Sequence, residues 1–211
     1  MLDGHEVTRD HWWWRPGWSL GRSFYTWHLT FEQDSAVRAL VPRFAPTLAK
    51  IATMEPVDEG GLHVTIQGIG FTDEVELSDV LAMADAAQDR LVACPRFDVQ
   101  IGPPVVDSET IQLPVANPYG LEQIRAVLQD AIADVWGAGQ VPERDDQFRP
   151  HLTLAYSTGA TPIADVQDLL GSDGLADITA SAHVDSVALI DLNRDRRKYE
   201  WTDIAKAILP V

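Results

Sequence analysis

Two tripeptides of one pattern, His63-Val64-Thr65 and His151-Leu152-Thr153, carry the residue types from which a proton-transfer site can be built. The second follows the first by 88 positions (151 − 63). In an extended chain residues i and i+2 share a face. Each copy then presents an imidazole and a hydroxyl side by side, while Leu62, Val64 and Ile66, or Leu152 and Leu154, turn into a core. Imidazole, with an ordinary pKa of about 6.5, is the side chain that can accept or donate a proton near neutrality. Two of them across a phosphodiester can serve as base to an attacking water or hydroxyl and as acid to the leaving oxygen. The hydroxyls of Thr65 and Thr153 can donate to the non-bridging oxygens, whose charge must be held as five-coordinate phosphorus forms. This chemistry calls for no metal, and the sequence has no HExxH, no second cysteine beside Cys94 and no carboxylate next to either histidine. Gly68-Ile69-Gly70 lacks the third glycine and the helix start of a dinucleotide fingerprint, so no cofactor is expected.

The elements that must position these groups follow from periodicity. Alternation of apolar and polar residues predicts a strand over 26–31, with Trp27, Leu29 and Phe31 on one face. Asp34-Ser35 then opens a helical pattern through Ile51 that Pro42 and Pro46 must break or kink. A Glu59-Gly60-Gly61 turn leads into a strand over 62–69, followed by a helix over 78–91 and a short strand over 96–101. The acidic run 73–76 reads as the capped first turn of that helix. The second half repeats the order: strand 110–115, helix 119–136, strand 151–156, short helix 163–170 and strand 183–192. A charged turn follows at 194–198, and 199–209 carries no assignable pattern. The expected class is α+β, with two similar lobes of antiparallel sheet plus helices, related by a pseudo-two-fold, around a central cleft.

At these residues the chain resembles the 2H phosphoesterase superfamily, which includes the bacterial 2′-5′ RNA ligase-like proteins and 2′,3′-cyclic phosphodiesterases. The resemblance rests on Leu62-His63-Val64-Thr65-Ile66 and on Arg149-Pro150-His151-Leu152-Thr153-Leu154, and it extends to the opening strand from Trp27 and the closing strand to Leu192. It implies a LigT-like bilobal domain over 25–211 behind a Trp- and Arg-rich extension over 1–24. It also implies His63 and His151 as catalytic residues, Thr65 and Thr153 as phosphate-binding residues, and neither metal nor cofactor. The implied activity is hydrolysis of a nucleoside 2′,3′-cyclic phosphate or a 2′-5′ linkage, the partner being a nucleotide or a short RNA end. A nucleotide-binding module without turnover, or a 2′-5′ RNA ligase, uses the same residues.

A third copy of the pattern, His28-Leu29-Thr30, lies on the opening strand, and the matching strand at 110–113 has no histidine. His28 is therefore a candidate third wall of the cleft and not one of the acid–base pair. The extension carries His11-Trp12-Trp13-Trp14-Arg15-Pro16-Gly17-Trp18 and Arg22. Such a cluster can stack a base and hold a phosphate, but the favoured reading is that it plugs the outside of a lobe or a contact between copies. Tyr25, Phe148, Arg149 and Tyr156 complete the candidate substrate contacts. Of the 211 residues, 16 are Lys or Arg and 32 Asp or Glu, a net charge of −16, which argues against a duplex-DNA partner held by its phosphates. A single cysteine excludes an internal disulfide framework, and no leader or membrane-length apolar run is found, so a cytoplasmic setting is expected. The oligomeric state stays open.

Overall fold

The structure is a computed structural model that describes residues 6–31, 34–144 and 146–211. Residues 1–5, on which the expected absence of a leader rests, lie outside it. Strand β1 (Ser23–Thr30) pairs antiparallel with β3 (His63–Phe71) on one side and β9 (Ser186–Asn193) on the other, and β10 (Glu200–Ile208) follows β9. The second sheet runs β2 (Met54–Pro56), β7 (His151–Ser157), β6 (Thr110–Pro114), β5 (Val105–Val106). Strands β4 (Phe97–Ile101) and β8 (Ala180–Val184) pair by themselves. The helices are α1 (Ser35–Arg38), α2 (Leu40–Leu48), α3 (Leu77–Leu91), α4 (Tyr119–Trp136) and α5 (Ile163–Ser172). Antiparallel sheets and helices make this an α+β protein of the expected class.

The main core takes the apolar faces the periodicities predict. Trp27, Phe44, Met83, Leu91, Ile124 and Leu128 are fully buried in it. The register fixes the motif residues: Thr65 lies opposite His28 and His63 opposite Thr30, while Thr153 lies opposite Gln112 and His151 opposite Pro114. Each motif histidine therefore opens its strand, and Gln112 occupies in the second lobe the place of His28 in the first.

Four details differ from the expectation. The helix expected through Ile51 is two helices, broken at Ala39. Asp34 Oδ1 caps α1 by accepting from the N–H of Ala36 and Val37, both at 3.0 Å. Pro42 falls in the first turn of α2, where its missing N–H costs little, and Pro46 is accommodated further in. The closing strand divides at Asp185 into β8 and β9, which belong to different sheets. Asp73 and Glu74 do not cap α3: their carboxylates take Arg22, at 2.7 and 2.5 Å. The unassigned 199–209 contains β10, an edge strand in which only Ala207 is buried, so burial imposes no alternation on its sequence.

Candidate active site

The two HxT motifs face one cleft of about 380 Å³, lined by His63, Thr65, His151 and Thr153. Their orientation is set locally and identically. His63 Nδ1 lies 2.8 Å from the carbonyl of Gly61, and His151 Nδ1 lies 2.9 Å from the carbonyl of Arg149, two residues back in each case. A carbonyl only accepts, so each Nδ1 carries the proton in the neutral ring and each Nε2 keeps its lone pair free. Among the described residues, neither Nε2 has a protein partner. The pattern explains why each histidine stands first in its strand: the preceding residues have left the ladder, and a carbonyl is available to fix the tautomer.

His28 forms the layer behind His63. The two imidazoles stack with centroids 4.5 Å apart and planes 5° from parallel, and His28 Nε2 lies 3.2 Å from Thr65 Oγ1. His28 is 1% exposed and its Nδ1 has no partner. A charged ring there would carry an unsatisfied N–H in a dry site. Burial, and then the adjacent His63, hold its pKa well below the ordinary value. His63 is lowered to about 4, chiefly by burial among His28, Tyr199 and Trp201; the Gly61 carbonyl opposes this in part, and His151 adds a smaller lowering effect. On the floor, Gly68 leaves space that a Cβ would fill, at 2.8 Å from Glu143 Oε1 and 3.1 Å from Phe24 Cε1. Glu143 has φ of 54°, and its loop is held by Arg125, which donates to the Glu143 carbonyl at 2.6 Å.

The N-terminal segment builds one wall of this cleft. It runs along the second lobe, with Thr8 N–H donating to Thr161, Arg9 N–H to Ser108 and His11 N–H to Ser157 at 2.7–2.8 Å. Trp12 is buried between Tyr156 and Tyr199, and Trp18 lines the cleft beside Phe24, so these two rings are not on the outside of a lobe. Trp13 and Trp14 are exposed. The clamp is Glu109, 8% exposed, whose carboxylate takes Arg15 at 2.6 Å, Arg9 at 2.8 Å and the indole N–H of Trp13 at 3.1 Å, with His11 Nδ1 3.2 Å away. Burial pushes the Glu109 pKa up, but Trp13 and Arg15 outweigh it and the net direction is down. Glu109→Gln is expected to cost about 1–3 kcal/mol, the usual cost of losing hydrogen bonds to a charged group. Amide exchange over residues 8–18 should accelerate relative to the core. Unchanged exchange there would mean that the segment is seated without the clamp.

Of the other candidates, Tyr156 lines the cleft, and burial first, then Tyr199, raises its pKa. Three do not reach it. Tyr25 lies in the main core on the face of β1 opposite Thr26 and His28. Phe148 packs on the core beneath Arg125, whose guanidinium carbon is 4.9 Å from the ring centroid. Arg22 is held by Asp73, Glu74 and the Gly17 carbonyl and covers the ring of Phe71. Arg149 sits in the neighbouring hollow with its side chain on Gln147 at 2.6 Å, and it serves the site through its carbonyl. Residue types and spacing do not single out Arg194, Tyr199 or Glu109. The one available signal for Arg194 is its place just past a strand expected to border the cleft.

The model of the family described as the 2′-5′ RNA ligase superfamily matches residues 43–196. The chain belongs to the 2′-5′ RNA ligase superfamily. Its fold is LigT-like: E. coli LigT complexed with 3′-AMP superposes with a TM-score of 0.66 at 16% identity, covering 90% of this chain and 99% of LigT. TT0787 of Thermus thermophilus gives 0.63 at 21% identity, covering 89% and 97%. The MHV ns2 PDE domain gives 0.57 at 13% identity, covering 81% and 99%. No curated protein matches the chain. Membership in the 2′-5′ RNA ligase superfamily supports an enzyme of phosphoesterase or ligase type. Among the described residues, no helix is long and apolar enough to cross a membrane.

Proposed function

We propose that this protein hydrolyses a small phosphodiester, such as a nucleoside 2′,3′-cyclic phosphate or a 2′-5′-linked oligonucleotide, by general acid–base catalysis shared between His63 and His151. The observation that carries the reading is the matched pair of imidazoles in one cleft, each with Nδ1 on a backbone carbonyl and Nε2 free. One Nε2 takes a proton from the attacking water as the new P–O bond forms. The other imidazole, protonated, gives its proton to the ribose oxygen as the old P–O bond breaks. The products are a phosphomonoester and a free hydroxyl, and solvent returns both rings to their starting states. Thr65 and Thr153 hold the non-bridging oxygens, Thr65 being itself positioned by His28. E. coli LigT, of the same fold, is complexed with 3′-AMP, ATP and NADP+, which supports a nucleotide as the ligand class.

The test is incubation with the four nucleoside 2′,3′-cyclic phosphates and with 2′-5′ diadenylate in the presence of a chelator. Hydrolysis is expected, and a 2′- or 3′-phosphate product identifies the bond that breaks. Turnover that disappears with chelator and returns with a divalent ion would overturn the proposal.

A further inference from the structure

Arg194 is 3% exposed and lines the same cleft as the two motifs, yet among the described residues no carboxylate lies within ion-pair distance of it. The acid whose charge it feels, Glu109, is already taken by Arg9, Arg15 and Trp13. A buried cation without a counter-charge is costly, and a protein retains one where an anion arrives to neutralise it. Part of the guanidinium is structural: Nη2 donates to the carbonyls of His11 and Trp13, both at 3.2 Å, and the rings of Trp12, Trp18 and Tyr199 surround it at 5.5–5.8 Å. That leaves Nε and Nη1, for which no described residue is an acceptor. These two groups lie on different edges of the guanidinium, and each can donate one charge-assisted hydrogen bond to an anion. Arg15, the other guanidinium on the cleft, already has a counter-charge, its Nη2 donating to Glu109 at 2.6 Å.

We propose that Arg194 holds a second phosphate of the substrate, so that the cleft selects a nucleotide carrying a 5′-phosphate in addition to the phosphodiester between His63 and His151. The placing of the first phosphate rests on the phosphoesterase reading above. Tyr199 relates the two positions, its ring lying 5.8 Å from the Arg194 guanidinium carbon and 5.8 Å from the His63 ring. Arg194 is a specificity-determining residue in this account, because the proton transfers do not involve it.

The experiment compares binding of adenosine 2′-monophosphate, whose phosphate fills the motif site, with adenosine 2′,5′-bisphosphate, which fills both, by titration calorimetry at fixed salt. The bisphosphate is expected to bind the native protein about tenfold or more tightly, the size of a charge-assisted pair. In Arg194→Met that ratio should fall towards one, and Arg194→Lys should restore part of it. The ratio isolates the second phosphate from any loosening of the N-terminal segment, which would weaken both ligands alike. No preference in the native protein overturns the proposal whether or not the variants fold, and so does an undiminished preference in a folded Arg194→Met. An equal loss for both ligands does so too, since it would place Arg194 on the first phosphate or in a purely structural role. If the preference and its dependence on Arg194 are found in a protein that hydrolyses no phosphodiester, the second site stands and the assigned activity falls.

Discussion

Replacement of His63 or of His151 by Ala is expected to lower kcat/KM on a 2′,3′-cyclic nucleotide by at least about 100-fold, the usual scale of a general acid or base. The double variant should lose little more than either single one. Once one proton transfer is uncatalysed, the remaining imidazole has no concerted partner, so the effects of groups acting as a unit do not add. His28→Ala should lose less than either, because His28 reaches the substrate only through Thr65 and through its stacking on His63. A loss for His28→Ala equal to that for His63→Ala would remove it from its positioning role and reopen the choice of acid and base. The same pair fixes one limb of the pH profile. With His63 lowered to about 4, the enzyme keeps a neutral imidazole well below pH 6.5, so kcat/KM should fall on the acid side near pH 4 and not near 6.5. That limb needs no decision about which ring is acid, since the second proton taken up by the pair leaves no base in either assignment. Initial rates after a rapid pH jump are the measurement to use, because the fold itself responds to acid in this range.

The chemistry was legible in the sequence because it is carried by a period-two pattern, and period two is the one regularity a strand cannot hide. Once His63 and His151 stand on strands, Thr65 and Thr153 must share their faces. The same rule, applied to β1, separates Thr26 and His28 on the cleft from Tyr25 in the core, so that placing Tyr25 among the substrate contacts went against the alternation already noted. The N-terminal wall was not legible for a different reason. Thr8, Arg9 and His11 are seated by backbone hydrogen bonds to Thr161, Ser108 and Ser157, contacts that leave no trace in side-chain identity. Arg194 and Tyr199 lie within and just after a charged turn that looks like any solvated loop. Only the closure of the N-terminal segment over them turns an exposed arginine into a buried one.

Stability should drop between pH 6.5 and pH 4, and the cause is the buried His11 and His28 with the half-buried His63. His63 and His11 are both lowered to about 4, and His28 lies well below the ordinary value. For His11 the dominant effect is burial, followed by Arg15, while Glu109 acts in the opposite direction without prevailing. In the unfolded chain all three return to about 6.5. Between the two values the folded protein holds these rings neutral and the unfolded chain holds them charged, so unfolding takes up protons and stability rises with pH. Their contribution is complete above about pH 6.5, is lost as pH falls towards 4, and changes little below that for His63 and His11. Near pH 5 His63 and His11 together make unfolding take up close to two protons, a slope of about 2.5 kcal/mol per pH unit, and His28 acts in the same direction. Over the window from pH 6.5 to pH 4 this removes several kcal/mol of a typical total of about 5–15 kcal/mol. Urea unfolding followed at half-unit steps from pH 7 to pH 4.5 measures the slope directly. His28→Phe keeps a ring against His63 but removes one titrating group, and should reduce the slope. A native slope near zero over this range would mean that these rings are already protonated in the folded protein, and with it the neutral stack of His28 on His63 would have to be abandoned.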